Sequence, residues 1–182
     1  MLSDAQREYI GKVCLTLQII IGALAAGVLM FLAIVIYLAS QNQAPRAPET
    51  PIITYAAYGM AAVCAIASFV VPNLVVAAAR KPLIAGDISQ WGLVKNLPNV
   101  DQLGEVAPLA AIYQTRAIIG AALCEGAAFF ACIAYLIEHQ RPVLIVAGVL
   151  LVLILRYLPT PSRLASWIES ELTTIQQMRQ LR

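Results

Sequence analysis

Apolar positions in this chain fall in four long runs rather than in the short periodic patches of a soluble core. Residues 15–39, 55–79, 116–138 and 142–158 are each apolar on nearly every side. About 20 such residues cross a bilayer as a helix, so each run reads as a transmembrane helix. The first run, about 25 residues, exceeds the roughly 7–15 apolar residues of a signal peptide, and it reads as a retained first span. Ahead of it, residues 1–14 are polar, with Leu2, Ala5, Tyr9, Ile10 and Val13 at helical spacing. That pattern predicts a short amphipathic segment lying on the membrane surface. Residues 40–53 carry Pro45, Pro48 and Pro51 among polar groups and read as a loop. Pro72, with Asn73 beside it, predicts a kink inside the second span.

The longest polar stretch is residues 80–114, with Gly86, Asp87, Gly92, Pro98, Asp101 and Gly104. It is longer than a simple connection requires, which marks it as functional or as a surface for a protein partner. Trp91 and Leu93 are candidate interfacial anchors. From Glu105 or Pro108 the pattern turns helical, so the third helix is expected to begin ahead of Arg116. Glu138, His139, Gln140 and Arg141 form a tight external turn, and Pro142 suits a first helical position. Pro159-Thr160-Pro161 stops the fourth helix. Ser162 can cap a last one over 163–181, with Leu164, Trp167, Ile168, Leu172, Ile175 and Met178 on one face. Residues 162–182 thus form an amphipathic helix that either lies on the membrane or packs on a second copy or a partner; spacing leaves these open. The expected fold is all-α, a polytopic membrane protein with four transmembrane helices.

Composition agrees. Hydrophobic residues make up 60% and charged residues 12%, with a mean hydropathy of +0.78, against roughly 45–50% and about 25% in soluble domains. The net charge of +2 is too small to argue for a nucleic-acid partner. The basic residues instead read topology. Ten of them (Arg7, Lys12, Arg80, Lys81, Lys95, Arg116, Arg156, Arg163, Arg179 and Arg182) fall on one side, and two (Arg46, Arg141) on the other. The rule that cytoplasmic segments are positive puts both termini and the 80–114 loop in the cytoplasm, and the chain in the cell (inner) membrane. Cys14, Cys64, Cys124 and Cys132 lie in or beside apolar runs without a C-x-x-C spacing and read as small packing residues. His139 is the single histidine, so haem and zinc are not expected and no cofactor is implied. No nucleophile–base set or phosphate loop is recognisable, which argues against an enzyme.

One position departs from the apolar pattern. Glu125 lies nine residues into the third run, counted from Arg116, roughly 13–14 Å along a helix and close to the midplane of a core about 30 Å thick. A charged group there costs about 2.5–3.5 kcal/mol, so function is the usual reason to keep one. Ser68 on the second span and residues 23–27 on the first fall at the same depth. No Lys, Arg or His does, so hydrocarbon favours the neutral acid. Such an acid can hydrogen-bond to Ser68, a carbonyl or a neighbouring subunit, and it can load and unload a proton. The plainer alternative is a hydrogen-bonding group that only holds helices together. Gly22, Ala26 and Gly27 on the first helix, and Gly120, Cys124 and Gly126 on the third, are small residues at spacings that admit close helix packing. With few large side chains to fill the gaps, a homo-oligomer, as a ring, is expected.

The segment TRAIIGAALCEGAAFFACIAYLIE resembles the carboxylate-bearing second helix of the proteolipid c subunits of rotary ATP synthases. That family carries I-I-G-x-A-L-x-E-(G/A) around its ion-binding acid, and the resemblance assigns that role to Glu125. Ala79-Arg80-Lys81-Pro82 is similar to the basic, proline-containing loop of the same hairpin. Gly126 and Ala127 offer no hydroxyl for sodium, so the resemblance implies a proton. Residues 55–79 hold only Gly59 where that family has a glycine repeat, the loop is about thirty residues longer, and two further spans flank the hairpin. The likeness covers roughly a fifth of the chain and implies similar local chemistry in a small four-helix membrane protein outside the rotor family. Two functions follow as expectations: an oligomeric assembly in which Glu125, with Ser68, binds a proton or cation; or a scaffolding protein that recruits partners through residues 80–114 and 163–181.

Overall fold

The computed structural model describes residues 3–41, 50–85 and 103–180, and the described chain is all-helical. Five helices follow in order: α1 (Asp4–Gln41), α2 (Ile52–Ala85), α3 (Val106–Glu138), α4 (Pro142–Arg156) and α5 (Pro161–Gln180). Helices dominate for a simple reason: in hydrocarbon every backbone N–H and C=O must find its partner inside the chain. Three helices, α1, α2 and α3, are long and apolar enough to cross a membrane, or four if α4 is counted together with α5. Leu15, Ile19, Met30, Ile66 and Val152 are among many large apolar side chains left exposed, as a surface solvated by lipid tails requires.

The N-terminal segment is not an element of its own. α1 runs unbroken for 38 residues from Asp4, about 57 Å at 1.5 Å per residue. Ser3 and Gln6 start it as a capping box. The Gln6 amide donates to Ser3 Oγ at 3.3 Å, and the Ser3 amide donates to Gln6 Oε1 at 3.0 Å. The other end of the 80–114 stretch is helical as the pattern predicts, because α3 begins at Val106. Trp91 and Leu93, and with them most of the proposed loop surface, lie outside the described residues. α2 passes through Pro72 without interruption. α3 ends where His139 adopts φ 54°, the left-handed conformation that commonly closes a helix.

Two compact units divide the chain. One comprises Met1–Gln18, Pro72–Ala117 and Pro159–Arg182. Its core joins Ile10 and Cys14 of α1, Val106 and Leu109 of α3, and Leu164, Ile168 and Ile175 of α5. The α5 face expected to meet the membrane surface or a second copy is thus covered within this chain. Polar contacts hold it there. The Arg80 guanidinium grips the Glu171 carboxylate, with Nε donating to Oε2 at 2.8 Å, and Arg179 pairs with Glu105 at 2.6 Å. The cap of α5 also differs from expectation. Pro161 takes the first helical position, which suits its missing N–H, so the cap falls on Thr160 and not on Ser162. Just ahead of it, the Pro159 carbonyl accepts from Gln18 Nε2 at 2.9 Å and lies 3.5 Å from the Cys14 thiol.

The other unit comprises Ile19–Val71 and Ile118–Leu158. α3 is its most enclosed helix: half of its apolar window is buried, against 22% for α1 and α2. The residues responsible are small. Ala121, Cys124, Ala127, Ala128, Ala131, Cys132 and Ala134 are all buried, which lets neighbouring backbones close on α3 where no hydrophobic effect drives association.

Candidate functional site around Glu125

Glu125 sits in the middle of α3, next to the buried Cys124, and is only partly buried itself. Its carboxyl faces α1 at Gly27. A Cβ placed on Gly27 would lie 3.7 Å from Glu125 Oε1 and 3.8 Å from Phe129 Cζ. Both are ordinary van der Waals distances, so the carboxyl and the ring lie beside Gly27 at contact range of such a methyl. One turn along, Phe129 meets Phe31 edge-on, with ring centroids 5.2 Å apart and planes at 74°. Glu125 Oε1 and the Phe129 ring both lie beside Gly27, and no hydrogen bond or ion pair to Glu125 exists among the described residues.

Ser68, expected beside Glu125, is buried and engaged elsewhere. Its hydroxyl donates to the Ala65 carbonyl of its own helix at 2.7 Å, and the Cys124 thiol lies near it. Cys124 and Glu125 are consecutive, about 100° apart around the helix, so the two candidates lie on different flanks of α3. The small residues also divide. Gly120 and Cys124 are buried, and Gly27 receives Glu125. Gly22 and Gly126 have nothing within 4 Å of an added Cβ, and Ala26 is exposed, so among the described residues no neighbour closes on these three positions.

What the Ser68 position does contribute is a carbonyl. In an α-helix that carbonyl takes the N–H four residues on, and here residue 72 is proline, which has none. The Tyr157 hydroxyl supplies the missing donor to Ser68 O, at 2.6 Å. For the ring to reach, α3 must give way. A Cβ on Gly120 would fall 2.5 Å from Tyr157 Cζ, a distance that real Cβ contacts do not reach. Pro72, Ser68, Gly120 and Tyr157 thus form one repaired break in α2, and this is the account of Gly120 that small-residue spacing alone did not supply.

A second buried carboxylate escaped the sequence reading. Glu138, expected in an external turn, is 4% exposed. Its Oε1 accepts from the Ile53 amide and its Oε2 from the Thr54 amide, both at 2.8 Å. Those amides belong to the first turn of α2, whose donors have no helical acceptors. A carboxylate there satisfies two of them and sits favourably at the positive end of the helix dipole. The available signal was an acid closing an apolar run; its partner, 84 and 85 residues away, left no local mark. Among the described residues no group of three or more His, Cys, Asp or Glu could hold a metal ion. Comparison with family models, curated proteins and solved structures finds no match.

Proposed function

We propose that this chain is a membrane protein of four crossings with both termini cytoplasmic, assembling with copies of itself, and that Glu125 binds a proton or cation within that assembly. The observation that carries the reading is the environment of Glu125: a carboxyl at the centre of an apolar helix, beside Gly27, with no hydrogen-bond donor or cation paired to it among the described residues. A residue kept only to tie helices together would be expected to have a partner in its own chain, and Glu138 and Glu171 illustrate that arrangement. Among the described residues Glu125 has none, which weighs against the scaffolding reading and in favour of an acid exposed toward a second copy or an ion. Gly22, Ala26 and Gly126 are open within one chain and are available to such a copy. α4 is the weakest crossing. Its 15 residues span about 22 Å against roughly 30 Å of hydrocarbon, and Arg156 at its end can snorkel to the headgroups. The likeness of residues 115–138 to the proton-binding helix of rotary proteolipids points to the same chemistry.

The test is labelling by a hydrophobic carbodiimide, which reacts with protonated carboxyls in the membrane. The purified protein should be modified at Glu125, less so as the pH is raised, and Glu125→Gln should lose the label. Labelling that persists at full yield in Glu125→Gln, or a Glu125 that stays unlabelled at every pH, would remove the proposal.

A further inference from the structure

We propose that a groove between α2 and α4 holds one acyl chain of an anionic phospholipid, with Arg156 at its end for the headgroup. The groove has a volume of ≈ 280 Å³. On α2 its wall is Tyr58, Ala61, Ala62 and Ala65, one face at spacings of three and four; on α4 it runs from Ile145 to Leu153. The alanines create the space: three consecutive positions of that α2 face end at Cβ.

The α4 wall from Ile145 to Leu153 is roughly 12 Å long, and a single hydrocarbon chain can lie along it. The lining is apolar almost throughout, so the groove itself cannot tell one lipid from another, because lipid tails are as apolar as the groove walls.

Charge supplies the selection. Arg156 lies three residues beyond Leu153, one turn past the end of the groove. Its guanidinium is held over the Phe69 ring, 5.1 Å from the centroid, and Phe69 is one turn beyond Ala65 on α2. The cation is thus positioned at the end where the two walls finish. It is exposed, and none of the carboxylates among the described residues forms an ion pair with it. A basic group between helices at the membrane boundary attracts an anionic headgroup at about 1 kcal/mol per charge.

The full chain, purified in detergent, would be titrated with phosphatidylglycerol and phosphatidylcholine of identical acyl chains and read by native mass spectrometry. Phosphatidylglycerol should be retained about fivefold more tightly, the equivalent of one such charge. Arg156→Gln should erase that preference and Arg156→Lys should keep it. Ala62 is exposed, so Ala62→Leu fills part of the groove without entering the core, and it should weaken retention of both lipids. Equal retention of the two lipids by the unaltered protein overturns the proposal, as does an Arg156→Gln variant that still prefers phosphatidylglycerol. An Ala62→Leu variant that keeps its lipid but changes its oligomeric mass assigns the groove to a second copy and also overturns it.

Discussion

Replacing Tyr157 with Phe removes one oxygen and leaves the ring against Gly120. Ser68 is 1% exposed, and with Pro72 four residues on, its carbonyl then has no donor from either its helix or its neighbour. An orphaned buried acceptor costs about 1–3 kcal/mol, while hydrogen bonds within membranes average about 0.6 and reach about 1.7 kcal/mol. A loss of about 1–2 kcal/mol is therefore expected, read as a shift in reversible unfolding by dodecyl sulfate in mixed micelles. The decisive comparison is a double-mutant cycle. Pro72→Ala restores the N–H that the Ser68 carbonyl lacks, so in that background Tyr157→Phe should cost less than about 0.3 kcal/mol, and the coupling between the two sites should approach 1 kcal/mol. Equal costs for Tyr157→Phe in both backgrounds would refute the idea that the tyrosine stands in for the missing amide.

Two further outcomes follow from the buried carboxylates. Glu138→Ala should remove both acceptors from the first turn of α2 and cost about 1–3 kcal/mol; hydrogen exchange at the Ile53 and Thr54 amides should accelerate ahead of the rest of the helix, and unchanged exchange there would contradict the capping role. Glu171→Ala should leave Arg80 without its buried partner, loosening α5 by about 1–2 kcal/mol; trypsin should then cut at Arg163 and Arg179 faster than in the unaltered protein, and an unchanged rate would show that the apolar face of α5 holds it alone.

The helices were legible because hydrocarbon leaves a chain few alternatives. A run such as residues 117–137, with no charge but Glu125, has nowhere in hydrocarbon to place its backbone groups except in a helix. Even the onset of α3 ahead of Arg116 showed in the pattern. Element boundaries were harder. Residues 4–14 look like a separate amphipathic segment because their polar positions differ from those of residues 15–39, yet nothing between them breaks a helix and α1 runs through both. The cap of α5 was placed two residues late because Pro161 was read as a stop when it is the first residue of the helix it introduces.

Partners were not legible, and Ser68 shows why. Shared depth brought it beside Glu125 on paper, because depth along a helix can be counted from sequence. Which flank of each helix meets which neighbour cannot be counted, and Ser68 turned out to serve Tyr157 through its carbonyl instead. Glu138 and Glu125 make the same point from two sides. By sequence both are acids on one apolar helix, and the one nearer the middle looked the more constrained. In the structure Glu138 is the one with both oxygens engaged, by amides 84 and 85 residues distant.

Alone, then, the order of residues in this chain determined that it is helical, that its helices are apolar enough to cross a membrane, and that one acid would lie mid-way along a helix of small side chains, because those follow from local solvation and helix periodicity. Tertiary structure decided which acid is paired, where the apolar face of α5 is covered and what Gly120 makes room for. Those depend on the rotation and approach of helices distant in sequence, which packing sets and no local pattern encodes.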